Sequence, residues 1–394
     1  MAPSALEHDA YVWQREWTPQ VVEAVAARGA QFRRLIVLGG EIAWREHRGE
    51  LTRANVDLTA LRRLGRPCSV ALRVGTWAGP FEASAAATVQ VRSSARELVD
   101  AFRGAGVEVA EFQIDFDCAE SRLEGYRTWV EALALDLAPL PVVITALPSW
   151  LRHREFGALV RAASGFVLQV HSVARPRTAG EPFQLCDPSA ARRWVEEAGR
   201  LGVPFRVALP TYGYLVAFDA SGAYLGASAE GPPPARPAGA VLREIGADPV
   251  AMARLIEAWA GERPAGFRGV LWYRLPVAGD RLNWKWTTLE TVMSGRVPLP
   301  DLRYTSLRPE PGLVEVQVAN RGTADRTGPV VARVRWQGAR LLARDGIRGF
   351  EVASSGANEL LFTNAICRLP AGEVETIGWL RFDTEAVVEL NIVP

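Results

Sequence analysis

Lysine is all but missing: the 394 residues contain one, Lys285, and arginine carries nearly all the positive charge. With abundant Ala, Gly and Pro this marks a GC-rich coding sequence and carries no functional message. Neither sign of charge is in excess, with 45 basic against 44 acidic residues and a net charge of +1. That argues against nucleic acid or an anionic membrane as the main partner, since both favour a basic surface. Cysteine is scarce. Cys68, Cys118, Cys186 and Cys367 form no C-x-x-C pair, and His8, His47, His153 and His171 do not cluster with them. No structural zinc site or disulfide framework is expected. No apolar run reaches the roughly 18 residues of a membrane span. The opening "MAPSALEHDAYVWQREW" lacks a basic, apolar, small-residue leader. As written the chain is expected in the cytoplasm; a sequence trimmed at its start would instead belong in the periplasm or outside the cell. No G-x-G-x-x-G or G-x-x-x-x-G-K-[ST] occurs, so no nucleotide cofactor is expected.

What the chain does have is alternation. The strand candidates are "DAYVWQ" (9–14), "RLIVLGG" (34–40), "CSVALRV" (68–74), "VAEFQID" (109–115), "PVVITAL" (141–147), "FVLQVHS" (166–172), "FRVALPT" (205–211) and "GVLWYRL" (269–275). Helical patterns separate them, such as "TPQVVEAVAARG", which starts with Thr18 as cap and Pro19 at the first helical position. Eight strands alternating with eight helices predict an α/β fold, a (β/α)8 TIM-type barrel. The alternative is an open doubly wound sheet, which would more often carry a Gly-rich turn after its first strand. After a linker-like stretch (297–312) the period changes to two, in "LVEVQVAN", "VVARVRW", "GFEVAS", "TIGWLRF" and "VVELNIV". A barrel over 1–298 followed by a small C-terminal all-β, sandwich-like domain over 299–394 is therefore expected. The Gly/Pro/Ala-rich segment 219–240 is too long for an ordinary connection, and reads as a lid with a small hairpin or a mobile loop.

Barrel enzymes build their sites at the C-terminal ends of the strands. In "EFQIDFDCAE" (111–120) Phe112, Ile114 and Phe116 face one way, and Gln113, Asp115 and Asp117 the other. Asp is a poor strand residue. Two carboxylates on one strand face, about 6–7 Å apart at Cα, are close enough for the charge on one to raise the pKa of the other. The raised one can serve as a general acid and its partner can store or relay a proton. The nucleophile must then come from elsewhere, such as the substrate. Gln113 on this strand, and Trp13, Glu41, Arg73, Gln169, His171, Tyr212 and Trp272 from other strand ends, are substrate-binding candidates. A solvated strand end, or a salt bridge to Arg73, is the bland alternative for the two Asp. A Mg or Ca site on Asp115, Asp117 and Gln113 is a third reading, and Cys118 reads as a buried thiol.

"FQIDFD", "ALPTYGY" and "GVLWYRL" resemble the chitinase and endo-N-acetylglucosaminidase barrels, with their strand-four D-x-x-D-x-D-x-E motif. A closer resemblance is to a bacterial domain-of-unknown-function family with a glycosidase-like barrel, which implies the fold but no activity. On the chitinase pattern Ala110 and Gln113 stand at the first two Asp positions, Asp115 at the third and Asp117 at the catalytic Glu. Tyr212 falls at the strand-seven Tyr and Trp272 at the strand-eight Trp that floors the sugar site, while Gln169 and His171 replace a Met-x-Tyr. The resemblance implies a glycoside hydrolase with Asp117 as proton donor and Asp115 as its partner, orienting the substrate's acetamido group as nucleophile. The partner would be an oligo- or polysaccharide, with no cofactor. Two motif acids are missing and the donor is one methylene shorter. A non-catalytic carbohydrate-binding barrel is therefore the alternative, and a scaffold whose C-terminal domain binds a protein is a third.

Overall fold

The computed structural model describes residues 6–45, 48–229 and 238–392. The chain divides into two compact units between Trp284 and Lys285. Strands of the first unit are β1 (Glu7–Val12), β2 (Arg34–Arg45), β3 (Arg48–Arg53), β4 (Cys68–Val74), β5 (Val109–Phe116), β6 (Val142–Ala146), β7 (Phe166–Gln169), β8 (Phe205–Pro210), β9 (Gly213–Phe218), β10 (Tyr224–Ser228), β11 (Val241–Gly246) and β12 (Phe267–Tyr273). Its helices are α1 (Pro19–Arg28), α2 (Leu58–Leu64), α3 (Ala86–Gly104), α4 (Leu123–Leu137), α5 (Arg154–Ala162), α6 (Pro188–Gly199) and α7 (Pro249–Gly261).

Eight strands pair in parallel in the order β1-β2-β4-β5-β6-β7-β8-β12, and β12 returns to β1. The sheet closes, which rules out the open doubly wound alternative. Closure requires a glycine where β12 meets β1: a Cβ on Gly269 would sit 2.3 Å from the Glu7 carbonyl oxygen. These strands are covered on both faces, which is why they read as near-continuous apolar runs. Asp187 and Asp248 cap α6 and α7, each carboxylate accepting from the first-turn N–H groups, with Pro at the helix start.

Alternation splits each barrel strand. Tyr11, Ile36, Leu38, Ala71, Val143, Val167, Ala208 and Leu271 pack together as one inner cluster. Towards the N-terminal ends of the strands this gives way to charge. The Arg206 guanidinium bonds Asp9 at 2.8 Å and Glu111 at 2.5 Å, and Arg33 and Arg34 hold the same two carboxylates from the outer side.

Two features depart from the plain repeat. β2 runs on past the barrel wall and folds back on β3 as an antiparallel pair. After β8 the chain forms a three-stranded antiparallel sheet, ordered β10-β9-β11. The segment 219–240, expected as a lid with a small hairpin or a mobile loop, contributes β10, which pairs antiparallel with β9, and its residues 230–237 lie outside the described residues.

The second unit begins with α8 (Trp286–Met293) and continues as β13 (Leu302–Glu310), β14 (Leu313–Asn320), β15 (Arg326–Gln337), β16 (Leu341–Gly346), β17 (Glu351–Gly356), β18 (Glu359–Leu369), β19 (Val374–Phe382) and β20 (Val387–Ile392). They form two antiparallel sheets, β13-β14-β19-β16 and β17-β18-β15-β20. Val314, Val316 and Leu380 from one sheet meet Val334, Leu360 and Phe362 from the other in a single apolar core. Eight strands form here where period-two patterning marked five. The three unmarked are β13, β16 and β18, of which β13 and β16 are sheet edges with exposed, charged faces.

Candidate active site

A cavity of about 360 Å³ opens where the barrel strands end. That is within the usual range for a small-ligand cleft, about 300–1,000 Å³. Asp115, near the end of β5, and Asp117, just beyond it, both line the cavity, as the strand alternation requires. Asp115 is part-buried and Asp117 exposed. The Thr145 hydroxyl on β6 donates to Asp115 Oδ1 at 2.7 Å. This leaves Oδ2 as the oxygen free to hold a proton.

Burial, and then the neighbouring Asp117 carboxylate, push the Asp115 carboxyl up to about 6; the Thr145 hydrogen bond and the Arg73 charge pull the other way. Asp115 therefore changes charge in the mildly acidic range. The folded pKa lies above the unfolded value of about 3.9. The stability contributed by the protonated form is thus complete below about pH 4 and lost as pH rises through 6. Asp115→Asn is expected to raise stability at pH 8 by about 1–3 kcal/mol and to leave it unchanged near pH 4. Denaturant unfolding at the two pH values checks this.

Of the other predicted residues, Trp13, Arg73, Gln169, His171 and Tyr212 line the cavity. His171 is buried, and burial pushes its imidazole down to about 3, so it stays neutral at any ordinary pH. Its Nδ1 lies 3.4 Å from the Tyr212 hydroxyl, which bonds Tyr214 at 3.2 Å, and Tyr214 meets Ser172 at 2.8 Å. Ser172 adopts φ of 57°, a left-handed conformation uncommon outside glycine, at the cavity wall.

Three expectations are corrected. Trp272 does not floor the cavity: it is fully buried on the outer face of β12, stacked on His8, with its indole N–H donating to His8 Nδ1 at 3.2 Å. The residue that reaches the cavity is Tyr273, because Leu271 and Tyr273 share the inner face. Gln113 faces inward but lies buried beneath the cavity, its amide donating to the Tyr11 hydroxyl. Glu41 does not line the cavity; it is bonded to Arg15 and lies 3.8 Å from Arg73. Gln113 does not line the cavity that holds Asp115 and Asp117, so the three oxygen ligands of the metal reading do not share one site. Among the described residues no group of three or more His, Cys, Asp or Glu is placed to hold a metal. Cys118 is buried, and burial pushes its thiol up to about 12.

Sequence reasoning passed over Tyr11, Thr145, Ser172, Arg175 and Tyr214, all on the cavity wall. Extending the inward parity of Gln113 and Asp115 to neighbouring strands would have found Tyr11 and Thr145. Ser172 and Arg175 follow the end of β7, where no periodicity operates, and Tyr214 lies in β9, outside the barrel repeat.

A closed parallel barrel with paired carboxylates at the end of its fourth strand has a glycosidase-like fold. The chain belongs to the family described as a domain of unknown function, DUF3142, whose model matches residues 65–278, more than half of its length. A second such domain, DUF8456, matches residues 304–383. No curated protein matches the chain in sequence. Among solved structures it is similar to the spore cortex-lytic enzyme SleL of Bacillus cereus, at 12% identity over 74% of each chain with a TM-score of 0.51. It is also similar to a chitinase of Chromobacterium violaceum, at 16% identity over 74% of this chain and 99% of that one, with a TM-score of 0.50. At these identities the likeness concerns the fold.

Proposed function

We propose that the chain is a glycoside hydrolase that cleaves a glycan by acid catalysis with the substrate's own acetamido group as nucleophile. The observation that carries this reading is the one-sided placement of acid in the cavity. Its only lining carboxylates, among the described residues, are Asp115 and Asp117, both contributed by β5 and the turn after it. Hydrolysis with a protein nucleophile or base needs a second carboxylate across the sugar ring, roughly 5–9.5 Å from the acid. Among the described residues no other carboxylate lines the cavity, and Glu41 is engaged by arginines.

Asp117 donates its proton to the leaving glycosidic oxygen as the C1–O bond breaks. The acetamido oxygen closes on C1, and water then opens the ring intermediate, returning a proton to Asp117. Asp115 orients the acetamido N–H and, protonated up to about pH 6, supplies the proton reserve beside the donor. The fold likeness to a chitinase and to a cortex-lytic enzyme supports glycan as the substrate class.

Product release from paired N-acetylated and unacetylated oligosaccharides tests the reading. Cleavage confined to the N-acetylated members is expected; cleavage of plain glucans at equal rates would sink substrate assistance. A second reading, a binding barrel without turnover, draws on Gln113, which stands at an acidic motif position and is tied to Tyr11. It requires glycan binding with no product. Thr145→Val separates the roles further. Removing a hydrogen bond to the carboxylate raises the Asp115 pKa, so the alkaline limb of the pH–rate profile should move up by about one pH unit. A limb that stays in place would detach Asp115 from the rate.

A further inference from the structure

Thirteen tryptophans suit a chain that stacks neutral sugars, yet the cavity presents almost no indole. Trp13 is 6% exposed and Trp272 is 0% exposed. Tyr214 and Tyr273 are only part-exposed on the cavity wall, and the exposed lining side chains besides Asp117 are guanidinium groups. Arg15, Arg73, Arg175 and Arg274 all line it. Arg274 is buried and bonded to Asp280 at 2.5 Å. Arg15 and Arg73 are 59% and 46% exposed in their side chains, and both lean on the one carboxylate of Glu41. Arg175 is exposed and lines the wall next to Ser172, with no hydrogen-bond or ion-pair partner among the described residues. Three exposed guanidinium groups thus stand at the mouth, with Glu41 shared between two of them. The free carboxylate there, Asp117, is the group that must give up a proton.

A guanidinium is a planar fork of donors that matches a carboxylate in two parallel hydrogen bonds. Three of them at the mouth are poorly matched to an uncharged chain, which offers only hydroxyls and amides and is usually gripped by flat aromatic faces. We propose that the cavity takes an anionic glycan whose sugars carry carboxylates, with Arg175 as the side chain that meets the carboxylate and Arg73 and Arg15 beside it. The proposal rests on the glycan reading of the same site and deepens it by naming the substrate class.

The test is calorimetric binding to the full chain carrying Asp117→Asn, so that turnover is slowed during the titration, with and without Arg175→Gln. The probes are three tetrasaccharides: hyaluronan, which alternates N-acetylglucosamine with glucuronate; chitotetraose, N-acetylated and neutral; and a sulfated, uronate-free keratan fragment. The hyaluronan fragment is expected to bind about tenfold more tightly than chitotetraose, and to lose most of that margin in Arg175→Gln and on raising salt. Arg175 is exposed, so its replacement leaves the fold intact, which an unchanged Tm verifies. Equal binding of hyaluronan and chitotetraose, unmoved by Arg175→Gln, would overturn the anionic assignment while leaving the hydrolase reading standing. Equal binding of the sulfated fragment would overturn the carboxylate assignment. Binding of none of the three would bring down both readings together.

Discussion

Asp117→Asn is expected to slow product release by about 10²–10⁴-fold while leaving glycan affinity within about twofold. The substitution is nearly isosteric and the side chain is exposed, so the cavity keeps its shape. What it removes is the transferable proton. The loss must depend on the leaving group. An unactivated glycan leaves as an alkoxide unless protonated, whereas an aryl glycoside with an acidic phenol leaves almost unaided. The mutant should therefore lose far more rate on the natural linkage than on the aryl substrate. Asp115→Asn should behave differently: both substrates slow, because acetamido orientation is lost for both, and the pH–rate profile loses its limb near 6. A single-turnover comparison of the two variants on both substrates reads this directly. Equal losses on natural and aryl substrates in Asp117→Asn would remove Asp117 from the role of donor. The short reach of Asp is compatible with that role because Asp117 lies past the end of β5, where the chain is no longer held to the barrel wall by strand pairing.

The barrel was legible in the sequence because burial on both faces compresses parallel strands into apolar runs, and "CSVALRV" was delimited to the residue. The acidic pair was legible for a complementary reason: Asp at alternate positions of a strand contradicts propensity, and such contradictions mark sites. Less legible was anything whose meaning depends on parity near a strand end. "GVLWYRL" offers both Trp272 and Tyr273, and a one-residue difference in register decides which is buried outside the barrel and which lines the cavity. Thr145 was invisible because Thr is an ordinary strand residue; only its 2.7 Å contact with Asp115 distinguishes it. Strand β3, "RGELTR", is polar and largely exposed, so nothing apolar announces it. Of the arginines at the cavity mouth Arg73 was legible from its strand end, but Arg175 was not, since in a chain with one lysine nearly every positive surface position is arginine.

Arg206→Met is expected to destabilise the protein by about 3–5 kcal/mol, more than any substitution on the cavity wall. Arg206 is nearly fully buried at the N-terminal end of the barrel interior, between Asp9 and Glu111, whose side chains are 1% and 8% exposed. Transferring two carboxylates out of water costs several kcal/mol each, offset here by a guanidinium that meets one oxygen of each. Methionine fills a similar volume but leaves both carboxylates short of a partner. Arg33 and Arg34 still reach them, but from positions partly open to solvent, where the attraction is weaker. The same physics makes a reverse expectation. Replacing Asp9, Glu111 and Arg206 together by Leu, Leu and Met removes the desolvation cost along with the pairing, and should recover most of the loss. Urea unfolding of the single and triple variants measures both. A triple variant no more stable than Arg206→Met would show that shape and hydrogen-bond geometry across β1, β5 and β8, and not the stranded charge, set the cost.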